Sequence, residues 1–134
     1  MHGDLNDTGI NRAFQWRHVI MPVSWALLIF ALHAIPGSEL PEQSWELLHG
    51  DKLIHLAMFS VLSASVFVAL GKSGTIRKYK WYAGVMLCLY GIGLEFAQDV
   101  WFDGRFASVG DMLADGLGVL AGRLAFRGIY GCWN

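Results

Sequence analysis

Residues 53–70 run through eighteen positions whose only polar side chains are His55, Ser60, Ser63 and Ser65. A helix in a soluble bundle keeps one face for water, and no face of this segment is polar. The run instead suits lipid, where about 20 apolar residues cross the hydrocarbon core as a helix. Similar runs recur at 19–35, 81–97 and 109–126, each 17 or 18 residues long, separated by short stretches of Gly, Pro and charge. The sequence therefore predicts an all-α polytopic membrane protein: a bundle of four transmembrane helices over 19–126, a cytoplasmic segment over 1–18 and a cytoplasmic tail over 127–134. A membrane barrel needs many strands of alternating polarity, which continuous apolar runs in 134 residues do not supply.

The composition agrees, with 54% hydrophobic and only 16% charged residues. A net charge of -1 gives no reason to expect nucleic acid as a partner. The two cysteines, Cys88 and Cys132, lie in an apolar run and near the C-terminus, so no disulfide framework is expected. The first run ends in His33-Ala34-Ile35-Pro36-Gly37 without a small-residue cleavage pattern and reads as a signal anchor that is retained. Asn6-Asp7-Thr8 fits the glycosylation pattern and is read as a chance match.

Lysine and arginine set the orientation. Lys72, Arg77, Lys78 and Lys80 lie between the second and third runs with no acidic residue among them, which places that connection in the cytoplasm by the positive-inside rule. Both termini then face the cytoplasm with Arg12, Arg17, Arg123 and Arg127, leaving Lys52 and Arg105 as the external basic residues. Glu39, Glu42, Glu46, Asp51, Glu95, Asp99, Asp103, Asp111 and Asp115 all fall in or beside the two external connections. Acidic residues steer topology little, so this clustering bears on function more than on orientation.

Three helix ends meet at that face. The second helix is expected to begin at Asp51, where the helix dipole favours an acid, with His55 one turn deeper. The third ends in Glu95-Phe96-Ala97-Gln98. The fourth starts at Ser108 with Asp111 three residues on, a capping-box-like pattern, and Asp115 follows a turn later. Asp111, Asp115, Gly118 and Gly122 share one helix face, as do Gly84, Cys88, Gly91, Glu95 and Gln98. Glycine stripes let helices approach closely in lipid, so the third and fourth helices are expected to pack face to face with Glu95 and Asp115 as neighbours. Asp111, Asp51 and Ser108 have an alternative reading as first-turn structural residues, and Gly118-x-x-x-Gly122 as a packing device. An ionisable side chain within a membrane segment costs at least about 2.5 kcal/mol unless paired, protonated or hydrated, which makes His55, Glu95 and Asp115 functional candidates.

These residues also carry a resemblance. Asp51-Lys52-Leu53-Ile54-His55 with Phe59 and Leu62 resembles the second-helix motif of the VanZ-like family of small bacterial membrane proteins. Glu95-Phe96-Ala97-Gln98, Gly104-Arg105-Phe106-Ala107-Ser108, Asp111, Asp115-Gly116-x-Gly118 and Gly122 resemble its second block, and the match runs over about 24–122. The family pattern has asparagine where this chain has Asp115. The resemblance implies a protein of the bacterial cytoplasmic membrane, associated in the family's namesake with low-level resistance to teicoplanin, and no settled biochemical activity.

Three functions fit the pattern. In the first, an envelope protein binds a lipid headgroup or lipid-linked precursor at the external face, with Lys52 and Arg105 as cations and Glu95, Gln98, Ser108, Asp111, Asp115 and His55 around them. In the second, a membrane enzyme acts on a phospholipid or isoprenoid phosphate, with a divalent cation held by Glu95, Asp111, Asp115 and His55. In the third, the chain is a structural or accessory subunit whose polar cluster specifies packing, or a minor transporter, which four helices without inverted repeats argue against. The sequence leaves ligand, reaction and oligomeric state open.

Overall fold

The computed structural model describes residues 7–35, 45–101, 104 and 106–131, with side chains described from residue 16 in the first segment and residue 50 in the second. Four helices make up nearly all of it: α1 (Asp7–His33), α2 (Trp45–Lys72), α3 (Ile76–Trp101) and α4 (Val109–Tyr130). No strand occurs among the described residues. Three helices contain stretches long and apolar enough to cross a membrane, Trp16–His33, Gly50–Lys72 and Ile76–Trp101. The 22 residues of α4 extend about 33 Å at the α-helical rise. They include Asp111, Asp115, Arg123 and Arg127, and composition alone does not mark α4 as a crossing.

The helices overrun their apolar cores. α2 starts at Trp45, so Asp51 is the seventh residue of the helix and not its first-turn acid. The upstream Trp45-Glu46-Leu47-Leu48-His49 has no helix breaker, and Gly50 alone does not stop a helix continued on both sides. The end of α2 is sharper. Gly74 takes φ 69°, the Gly74 N–H donates to the Gly71 carbonyl at 3.2 Å, and the Thr75 N–H donates to the Leu70 carbonyl at 3.1 Å. This Schellman motif satisfies the last carbonyls of α2, and Thr75 then receives the first amides of α3. Lys72, Arg77, Lys78 and Lys80 thus sit on helix ends around a tight turn.

The helices alternate in direction. α4 packs most extensively on α2, where Gly118 and Gly122 allow backbone-level approach. A Cβ at Gly118 would lie 2.6 Å from the Leu56 carbonyl oxygen, and one at Gly122 would overlap the Ser60 carbonyl oxygen. The Ser63 hydroxyl donates to the Val119 carbonyl at 2.7 Å across the same seam. The glycine face of α4 therefore meets α2, where a stripe on α3 was expected. Gly91 on α3 does meet α4, at Asp115, whereas a Cβ at Gly84 would meet nothing within 4 Å among the described residues. Periodicity identifies a small-residue face and not the partner it packs against.

Between the ends lies an apolar core of Ile29, Phe59, Leu62, Leu87, Leu94 and Val119, and nearer the α2–α3 turn a second cluster of Phe67, Ile76 and Phe126. α1 is held by polar hooks on its carbonyl side and its indole: Tyr90 OH donates to the Ala26 carbonyl at 2.6 Å, and Trp25 Nε1 donates to the Met58 carbonyl at 2.9 Å. The outward surface is apolar, with Leu27, Leu28, Val85, Leu89, Leu113 and Leu117 exposed. Exposed Trp16, Trp81 and Tyr82 ring the basic end and Trp101 lies at the other; amphipathic Trp and Tyr rings favour a membrane interface.

Candidate functional site

At the end opposite the Schellman turn, α1, α2, α3 and α4 each bring a polar side chain into the interior: His33, His55, Glu95 and Asp115 are all at least 96% buried. His55 stands between the carboxylates. Its Nδ1 lies 3.0 Å from Asp115 Oδ1 and 4.0 Å from Glu95 Oε1. Glu95 and Asp115 therefore converge on one imidazole, supplied by α2. Gly91 makes this possible, since a Cβ there would lie 2.8 Å from Asp115 Oδ2.

The start of α4 shows how Glu95 is aimed. Ser108 is the N-cap, in extended conformation (φ -114°, ψ 115°), and its hydroxyl accepts from the Asp111 N–H at 3.3 Å. In a capping box the acid at the third helical position would accept the N-cap amide in return. Here the Ser108 N–H donates instead to Glu95 Oε2, at 2.9 Å, so α3 supplies the second half of the box. Asp111 is released to accept Lys52 Nζ at 2.7 Å. Lys52 Nζ also lies 2.7 Å from the position of a Cβ on Gly110, against the first turn of α4. The Lys52–Asp111 pair forms a rim, with the Lys52 side chain 42% exposed.

Gln98 serves α1. Its Nε2 donates to the His33 carbonyl at 3.2 Å, satisfying one of the carbonyls left over at the helix C-terminus. His33 Nδ1–H donates to the Ile29 carbonyl at 2.8 Å, which fixes the tautomer and leaves the lone pair on Nε2. The His33 and His55 rings meet edge to face with centroids 4.9 Å apart. His33 was not among the residues singled out from the sequence. The same reasoning that selected His55, an ionisable side chain at the outer end of an apolar helix, applied to it equally.

The structure thus brings His55, Glu95 and Asp115 together in an inner cluster and Lys52, Ser108 and Asp111 in a rim, with Gln98 beside the inner cluster at the end of α1. Arg105 lies outside the described residues, as do Glu39, Glu42, Asp103 and Cys132. Cys88 is free. Two buried oxygens, Glu95 Oε1 and Asp115 Oδ2, have no hydrogen-bond partner. A buried carboxylate without full pairing is costly, so the inner cluster is suited to hold a cation or move a proton. No known protein family, no curated protein and no solved structure matches this chain.

Proposed function

We propose that this chain is a cell-envelope protein of VanZ-like type that crosses the bacterial cytoplasmic membrane four times, both termini inside. Its extracytoplasmic end binds an anionic lipid headgroup or lipid-linked envelope component. The reading of α4 as the fourth crossing draws support from where its side chains point. Asp111 and Asp115 turn inward, whereas Leu113, Leu117, Leu120 and Leu124 are exposed along its outer face. Charges that face the bundle interior do not oppose insertion as lipid-facing charges do.

The headgroup reading rests on Lys52. Its half-exposed ammonium is fixed on Asp111 beside the first turn of α4, so a phosphate at the rim would meet a positioned cation and the positive end of a helix dipole together. The protein reconstituted in neutral nanodiscs is expected to bind short-chain phosphatidylglycerol in preference to phosphatidylcholine, and Lys52→Gln to weaken that preference at least tenfold. Equal binding of the two lipids, or an unchanged preference in Lys52→Gln, contradicts it. Expression in a susceptible Gram-positive host is expected to raise tolerance of teicoplanin, whose acyl tail favours the membrane surface, more than of vancomycin. Unchanged teicoplanin tolerance argues against the VanZ-like reading.

A further inference from the structure

Beneath that rim the side chains suit a different ligand. We propose that His33, His55 and Glu95 bind a divalent transition-metal ion of the zinc class, with Asp115 holding the His55 ring in place. One ligand atom from each of the three residues lies within 4.8 Å of the other two. Zinc–nitrogen and zinc–oxygen bonds of about 2.0–2.2 Å in tetrahedral array separate ligand atoms by roughly 3.4 Å, a contraction that side-chain rotation supplies. Two imidazoles and one carboxylate form a recurrent zinc set that leaves a fourth position for water or a ligand oxygen.

Independent observations point to the same place. Glu95 Oε1 and Asp115 Oδ2 are buried with no hydrogen-bond partner, in residues 1% exposed. Two carboxylates share a single imidazole, so the cluster lacks positive charge for the negative charge it can carry. The orientation of His33 is already arranged as in metal centres, since it donates Nδ1–H to the Ile29 carbonyl. At His55 both carboxylates approach Nδ1, Asp115 Oδ1 at 3.0 Å and Glu95 Oε1 at 4.0 Å, so zinc on Nε2 would leave Nδ1–H to Asp115. Backbone carbonyls and carboxylates behind ligating imidazoles fix ring orientation and raise ligand basicity.

An outer set, Asp51, His55 and Asp111, has similar spacing. It is the weaker choice because Asp111 already has the Lys52 ammonium at 2.7 Å. Magnesium is also disfavoured, since it prefers six oxygen ligands and keeps several waters, whereas this set is nitrogen-rich and enclosed. This set shares His55 and Glu95 with the one read from the sequence, adds His33, and leaves Asp111 to Lys52 and Asp115 to the His55 ring.

The test uses the intact protein in neutral detergent, without anionic lipid, so its outcome is separate from headgroup binding. Metal-stripped protein is titrated with zinc against a chromophoric chelator, with magnesium in a parallel arm. The proposal expects one zinc per chain, undisturbed by millimolar magnesium, and at least tenfold weaker binding in both His33→Gln and Glu95→Gln. Cobalt-loaded protein should show the intense visible absorption of a tetrahedral, nitrogen-containing site. No zinc binding by the unaltered protein overturns the proposal. So does full zinc affinity in His33→Gln, or loss in Asp51→Asn alone, which would assign the ion to the outer set. Should the variants fail to fold, the cobalt spectrum of the unaltered protein decides, and a weak octahedral spectrum counts against the site.

Discussion

The two ends of this bundle handle charge in opposite ways. At the basic end the core is Phe67, Ile76 and Phe126, and the charged residues stay around it. Arg123 lies over the Trp81 ring at 4.5 Å and Lys78 over Tyr79 at 5.1 Å, so the cations rest on aromatic faces. At the other end the charged and polar groups are the core, and His33, His55, Glu95 and Asp115 occupy the space between helices. A cation at a helix end that rests on an aromatic face needs no buried partner. Buried carboxylates with incomplete pairing are not, and that asymmetry separates a device for orientation from a candidate site.

The largest expected effect sharpens this contrast directly. His55→Ala removes the imidazole shared by Glu95 and Asp115 and leaves two buried carboxylates facing each other. Breaking a buried pair costs about 3–5 kcal/mol, whereas an exposed substitution away from special features costs less than about 0.5 kcal/mol. Unfolding in detergent should therefore show a large loss in His55→Ala and almost none in Arg77→Ala at the basic end. Comparable losses in the two variants would erase the distinction between the ends.

A smaller effect concerns the seam that holds the ends in register. Gly122→Ala places a methyl group on the Ser60 carbonyl and 2.8 Å from the Ala64 backbone nitrogen, atoms that move only if α2 and α4 separate. Overpacking of this kind costs about 1–3 kcal/mol. Gly84→Ala adds its methyl to open space and removes a glycine from a helix, so it should be neutral or stabilise by up to about 1 kcal/mol. The two substitutions read the same in sequence. A lower melting temperature in Gly122→Ala and an unchanged or higher one in Gly84→Ala are the expected result, and equal destabilisation would mean that Gly84 too lies in a packed interface.

The residues show which features are legible in a sequence. The helices and the ends of the bundle follow from the run 53–70, the basic turn and the Ser108 cap, because hydropathy and backbone capping are local properties. The convergence of Glu95 and Asp115 on His55 was also within reach, since each is an ionisable residue at the same end of an apolar helix. Partner choice was not. Nothing in the periodicity of Gly118 and Gly122 distinguishes α2 from α3, and nothing in Ser108-x-x-Asp111 reveals that Glu95 takes the capping amide while Lys52 takes Asp111. His33 carries the same signal as His55, an ionisable side chain at the outer end of an apolar helix, and was passed over. Only the fold places it against His55.

The central claim is that these two ends lie on opposite sides of a membrane crossed four times. Single cysteines introduced as Phe106→Cys, Ser73→Cys and Tyr130→Cys, in a background carrying Cys88→Ser and Cys132→Ser, test it in intact cells with a membrane-impermeant thiol reagent. The account predicts labelling at position 106 and protection at 73 and 130 until the membrane is permeabilised. Labelling at 73 from outside would reverse the orientation and turn the buried cluster toward the cytoplasm, and labelling at 130 with protection at 73 would mean that α4 does not cross.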